Sequence, residues 1–172
     1  KNLLPSEKNT HSWEVALRLL ESSKCPSEKA FSLGYVSHLA ADTVAHSIYT
    51  HGRKNIEHTF FEIMADGLID RKYWFQAMSI EKAIQYRNDA FLEKSLERVI
   101  FSFKNNKRVF KGVLFLSGLK KGRFGDFIDR NLLIYVKKED IIKLHEESLE
   151  RMIDVLCNGD RSAVLKKNPI GR

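Results

Sequence analysis

Apolar residues recur along this chain at intervals of three and four, and no alternating run of the kind a half-buried strand requires is found. After Ser12, the residues Trp13, Leu17 and Leu20 stand at helical spacing and predict a first helix through VALRLLESS. Pro26 and Ser27 punctuate the next loop, and either can start a second helix. The pattern carries that helix through Ala30, Leu33, Ser37 and Ala41 to about Tyr49. Its small residues (Gly34, Ser37, Ala40, Ala41 and Ala45) predict close approach of neighbouring helices and room around a buried polar stripe. His51-Gly52 interrupts the pattern, and a third helix is expected from Asn55 to Asp66, stopped near Gly67. Residues 68–80 are less regular, with Tyr73, Trp74 and Phe75 clustered. Asn88 is a candidate cap for a helix through Phe91, Leu92, Leu96, Val99 and Ile100. A turn at Asn105-Asn106, a buried helix within 109–119 and another helix from Asp126 follow. The last long helix is expected over Glu139 to Cys157, with Ile142, Leu149, Met152, Ile153 and Leu156 inward and Asn158-Gly159 closing it. The tail beyond Ser162 is basic and expected to be extended around Pro169. With no internal repeat and no low-complexity linker, residues 1–172 read as a single all-α domain.

Composition sharpens this picture in three places. A chain of 172 residues with 43% hydrophobic content can bury a full core, which argues against disorder. No apolar run approaches the roughly 18 residues that a membrane-spanning helix requires. The net charge of +7 is unevenly spread, because residues 1–70 carry seven basic and nine acidic side chains. The positive excess therefore lies downstream. Between Lys104 and Gly125 there are seven basic residues and no acidic one, with Phe103, Phe110, Phe115 and Phe124 interleaved. Such a strip could face an anionic membrane surface or a nucleic-acid backbone, but a solvated helix face over a core stripe is the favoured reading. Cys25 and Cys157 show no CxxC pattern and do not decide the compartment.

The candidate chemistry is concentrated in FSLGYVSHLAADTVAHSIYTHGRKNIEHTFFE, residues 31–62. His38, Asp42 and His46 fall at i, i+4 and i+8, and His58 and Glu62 repeat the four-residue spacing. On a helix such residues stack along one stripe, with neighbouring Cβ atoms about 5–6 Å apart. Imidazole nitrogens and carboxylate oxygens are the ligands zinc accepts, so the stripe reads as a metal site with more than one ion. A buried aspartate that only fixes histidine tautomers is the plainer alternative for a single pair. Burying several such groups with no metal leaves costly polar atoms to satisfy, which favours the metal reading. His11, at the start of the first helix, is a further candidate that spacing alone does not separate from an ordinary polar residue. His51 lies beside Gly52 in the interruption, and His145 is expected on a solvated helix face.

The pattern LGYVSHLAADTVAHSIY followed by EHTFFEIMAD resembles the zinc-dependent phospholipase C family, most specifically over residues 31–66. The resemblance implies an all-α helical bundle of the phospholipase C / P1 nuclease type. It also implies zinc, two or three ions in the complete protein, and hydrolysis of phosphodiester bonds. Carried over by position, His38 and Asp42 become first-zinc ligands, with Asp42 able to bridge to another ion. His11 becomes a further first-zinc histidine, and His46, His58 and Glu62 become ligands of the second. The family's third ion uses an N-terminal tryptophan and a nearby histidine, and an upstream aspartate completes the first. KNLLPSEKNT supplies none of these. Because the chain opens on Lys1 and not on methionine, the natural polypeptide is expected to continue upstream. The implied substrate is a phospholipid head group or another phosphodiester, and the basic strip makes an anionic membrane surface a candidate partner. The alternatives are a single-strand nuclease of the S1/P1 type, acting on nucleic acid, and a non-catalytic metal-binding or membrane-surface module. The implied localisation is secreted or periplasmic.

Overall fold

The computed structural model describes residues 11–46, 70–95 and 138–170. Among them are five α-helices and no strand: α1 (Trp13–Ser22), α2 (Pro26–Val44), α3 (Arg71–Met78), α4 (Lys82–Ser95) and α5 (Lys138–Asn158). Two short 3₁₀ turns, Gly159–Arg161 and Ala163–Lys166, follow α5. The fold class is all-α, as the periodicity predicts. The chain groups into two compact units, one holding α1, α2, α4 and α5 from Leu144 onward, the other holding α3 and α5 up to Lys143.

In the first unit, α1 begins at the expected place because the Ser12 side chain caps it, accepting the Val15 N–H at 3.3 Å. The second helix starts at Pro26 rather than Ser27. Proline occupies the first helical position, where its missing N–H costs nothing, and Glu28 accepts the Lys24 N–H at 2.6 Å. The Ser23 hydroxyl turns the chain between the two helices by donating to the Leu19 carbonyl at 2.8 Å. It also lies 2.9 Å from the hydroxyl of fully buried Ser32.

The buried stripes differ in detail from the predicted ones. In α1 the innermost residues are Val15, Ala16 and Leu19, with Trp13, Leu17 and Leu20 half-buried beside them. In α2 they are Ser32, Val36, Leu39, Ala40, Thr43 and Val44, rotated from the expected line through Ala30, Leu33, Ser37 and Ala41. Ala40 does serve close packing, being fully buried. Gly34 does not: it is exposed, and a Cβ built there meets nothing within 4 Å.

The core of this unit joins Ala16, Val36, Leu39, Ala40, Val155 and Val164, with Trp13, Tyr35, Met152 and Leu165 packed against it. It therefore draws together α1, α2, α5 and the tail. The α4 helix closes another side, where Phe91 meets Phe31 edge-to-face at 6.0 Å. This helix runs from Lys82, so Asn88 is an interior residue and not the expected cap. The helix-favouring stretch Lys82-Ala83-Ile84-Gln85 extends it upstream.

The inward face of α5 is rotated from the expected one. Ile141, Ser148 and Val155 are buried, whereas Ile142, Leu149, Ile153 and Leu156 are 46–56% exposed. The inward stripe lies one residue, about 100° of rotation, from the one predicted. Arg151 on this helix is anchored: its side chain, 15% exposed, donates to the buried Thr43 hydroxyl at 2.7 Å and pairs with Glu147. Met152 reaches the core as expected, and His145 is exposed as expected. Gly159 ends the helix in the left-handed region at φ 52°, again as the sequence indicates. The tail is not simply extended, since Ser162, Val164 and Pro169 are buried and residues 163–166 form a 3₁₀ turn against α2.

In the second unit, the stretch expected to be irregular contains α3. Asp70 caps it by accepting the Lys72 N–H at 2.9 Å. Eight residues are too few to establish a periodicity, which is why the cap is the better signal. The expected helices at 55–66, 109–119 and beyond 126, and the basic strip at 104–125, lie outside the described residues. Both cysteines are free and exposed. No described helix is long and apolar enough to cross a membrane.

Candidate metal centre

Three of the singled-out residues meet where α1 begins against the last turns of α2. Asp42 and His38 sit one turn apart on α2, and the helical register alone brings His38 Nε2 to 3.2 Å from Asp42 Oδ2. His11 arrives from another element. It precedes the α1 cap, and packing of α1 on α2 brings its Nε2 to 3.6 Å from the same carboxylate oxygen. The two rings stand edge-to-face, 5.5 Å apart at 65°. One ligand-type atom from each of the three residues lies within 4.8 Å of the others.

The surroundings are graded. The Asp42 side chain is 14% exposed, whereas the rings of His11 and His38 are 44% and 54% exposed. The carboxylate forms the floor and the imidazoles form a rim open to solvent. Burial pushes the His11 pKa down, with Asp42 opposing and His38 adding to the depression. Burial likewise lowers His38. Both rings are therefore neutral near pH 7, which is the form that offers a nitrogen lone pair. Tyr35, one turn before His38, stands edge-to-face to its ring at 6.4 Å. Burial, and then the Asp42 charge, raises the Tyr35 pKa to about 12, so it remains a neutral phenol.

The donor set fits zinc. Two neutral imidazole nitrogens and one carboxylate oxygen are zinc ligands, and tetrahedral bonds of about 2.0–2.1 Å set ligand atoms about 3.3 Å apart. The observed 3.2 and 3.6 Å bracket that spacing.

His46 is half-buried and lies outside this three-residue group. The α-helical register that stacks His38 on Asp42 stops at Val44, and residues 45–46 continue as a wider π-type turn. His58 and Glu62 lie outside the described residues, as does His51. Tyr35 is the member of the site that the sequence reading passed over. Its position three residues before His38 was the available signal.

Fold and site together define a helical protein with a zinc-type cluster of two histidines and an aspartate. The zinc dependent phospholipase C family matches residues 3–111, a span that contains all three residues and most of the described helical unit around them. The chain belongs to that family. No curated protein and no solved structure matches it.

Proposed function

We propose that this chain is a zinc-dependent hydrolase of phosphodiester bonds whose substrate is a phospholipid head group. Family membership supports a phospholipase C-like activity, and the convergence of His11, His38 and Asp42 is the observation that carries the reading to particular residues. In this proposal His11 and His38, through Nε2, and Asp42, through Oδ2, hold one zinc ion. His46, His58 and Glu62 serve a second ion, an assignment resting on residue type and family alone. Bound zinc supplies Lewis acidity and positive charge toward the phosphodiester oxygens and an attacking water.

The chain's own contribution is to hold two neutral imidazoles beside a carboxylate within one small space. Asp42, being mostly buried, is fixed by its helix, while the half-exposed rims of His11 and His38 leave room for substrate. The Tyr35 phenol keeps its proton and stands edge-to-face to the His38 ring. Residues 1–172 are proposed to act as one functional domain, in a secreted or periplasmic setting.

The test is hydrolysis by the zinc-loaded, full-length protein. Phosphatidylcholine vesicles are expected to release phosphocholine and diacylglycerol, whereas single-stranded DNA remains intact. Nucleotide release with untouched lipid overturns the substrate class. Elemental analysis checks the site separately: His38→Ala is expected to lose bound zinc, and unchanged zinc content removes His38 from it.

A further inference from the structure

His11 precedes the N-cap of α1, so its ring is placed through the first turn of that helix. That turn is tied to the far end of the chain. The Trp13 indole Nε1–H donates to the Lys167 carbonyl at 2.7 Å, bridging 154 residues. Trp13 also packs on the core cluster to which the tail contributes Val164 and Leu165. The tail has its own anchor at the end of α5. The Ser162 hydroxyl donates to Asp154 Oδ2 and accepts the Val164 N–H at 3.1 Å, which starts the 3₁₀ turn that buries Val164.

We propose that the C-terminal segment 162–170 is a positioning element of the metal centre. It fixes His11 through the Trp13 indole, so zinc binding and docking of the tail are thermodynamically coupled. The inference rests on the zinc reading of His11, His38 and Asp42 proposed above. The segment lies beyond residues 3–111, the span that matches the family.

The physical argument is one of preorganisation. His38 and Asp42 share a helix and keep their 3.2 Å approach as long as α2 is formed. His11 has no such local guarantee, because its distance to Asp42 depends on how the start of α1 is held. Releasing the indole from Lys167 widens the range of positions open to His11, and zinc binding must then narrow it again. Linkage makes the effect reciprocal: if the docked tail favours zinc, zinc favours the docked tail. Trp13 and the tail touch no proposed substrate or metal, so their role is positioning.

The experiment uses the full chain and zinc alone as the probe. Zinc affinity is measured by competition with a chromophoric chelator for wild type, Trp13→Phe, His11→Ala and the double variant. Phenylalanine keeps an aromatic ring in the cluster and removes the N–H donor. Trp13→Phe is expected to weaken zinc binding about three- to tenfold, the range a single hydrogen bond confers. In the His11→Ala background the same substitution is expected to have no further effect. Zinc is also expected to slow tryptic cleavage after the exposed Lys166 and Lys167 in wild type but not in His11→Ala. Should Trp13→Phe fold poorly, deleting residues 167–172 removes the acceptor carbonyl while retaining Trp13 and Val164, and the same four-way comparison applies. Wild-type zinc affinity in both variants, or an equal loss with and without His11, overturns the coupling. Failure of wild type to bind zinc, or unchanged binding in His11→Ala, instead overturns the site reading itself.

Discussion

Thr43 stands next to Asp42 in the sequence, about 100° round the helix, and is buried in the core. Its hydroxyl donates to the Ala40 carbonyl at 2.6 Å and accepts the Arg151 guanidinium at 2.7 Å. Thr43→Val keeps the shape and removes the acceptor, leaving a mostly buried cation short of a partner. The expected loss is about 1.5–3 kcal/mol, typical of a hydrogen bond to a charged group, measured by urea unfolding. Asp42 poses the complementary question. Asp42→Asn is nearly isosteric, so it is expected to preserve helix content yet abolish the stabilisation that zinc confers, read as a thermal shift with and without the ion. Equal zinc-induced shifts in the variant and wild type remove Asp42 from the ligand set. His38 and Asp42 were legible as a pair because a helix fixes their separation locally. Tyr35 was less so, since an aromatic residue at helical spacing from His38 reads first as ordinary core.

At the scale of elements, the orientation of α5 yields the sharpest contrast. Val155 is 4% exposed and Ile153 52% exposed, although sequence periodicity favoured Ile153 as the inward residue. Val155→Ala is expected to cost about 1.5 kcal/mol or more, and Ile153→Ala to change stability by less than about 0.5 kcal/mol, by denaturant titration. The reverse ranking restores the predicted face. Gly34 gives a prediction of opposite sign. It is an exposed interior residue of α2 with open space at its missing Cβ, so Gly34→Ala is expected to stabilise by about 0.5–1 kcal/mol. The junction between α5 and the tail carries a pH dependence. Hydrogen bonds, first from Ser162 and then from Asn158, hold the Asp154 carboxyl below the usual carboxylate range. A folded pKa below the unfolded one adds stability that is present above about pH 4 and lost as pH falls through the folded value. Thermal unfolding of Asp154→Asn is therefore expected to vary less with pH below about pH 4 than that of wild type.

The helical unit as a whole reaches further along the chain than its family signature. Residues 3–111 match the family, yet Val155 and Val164 belong to the same core cluster as Val36 and Leu39, and Met152 and Leu165 pack against it. A fragment ending at residue 137 keeps the entire matched span and loses these four contacts. It is expected to lack cooperative thermal unfolding by circular dichroism. A cooperative transition in that fragment means that the C-terminal helix and tail are accessory to the core. The same closure joins Trp13, two residues after His11, to Lys167.

What the sequence determined by itself is what local geometry enforces. Periods of three and four residues specify helices, Ser12 and Gly159 mark a start and a stop, and a four-residue spacing stacks His38 on Asp42. Tertiary structure alone decided which face of each helix turns inward, because several helices carry apolar residues on more than one side. The partner surface then selects the face: α5 buries Val155 rather than Ile153 where Arg151 meets Thr43. It also decided that His11 joins the cluster and that the tail docks. Both depend on contacts between residues far apart in the chain, whose closure only the packed core stabilises.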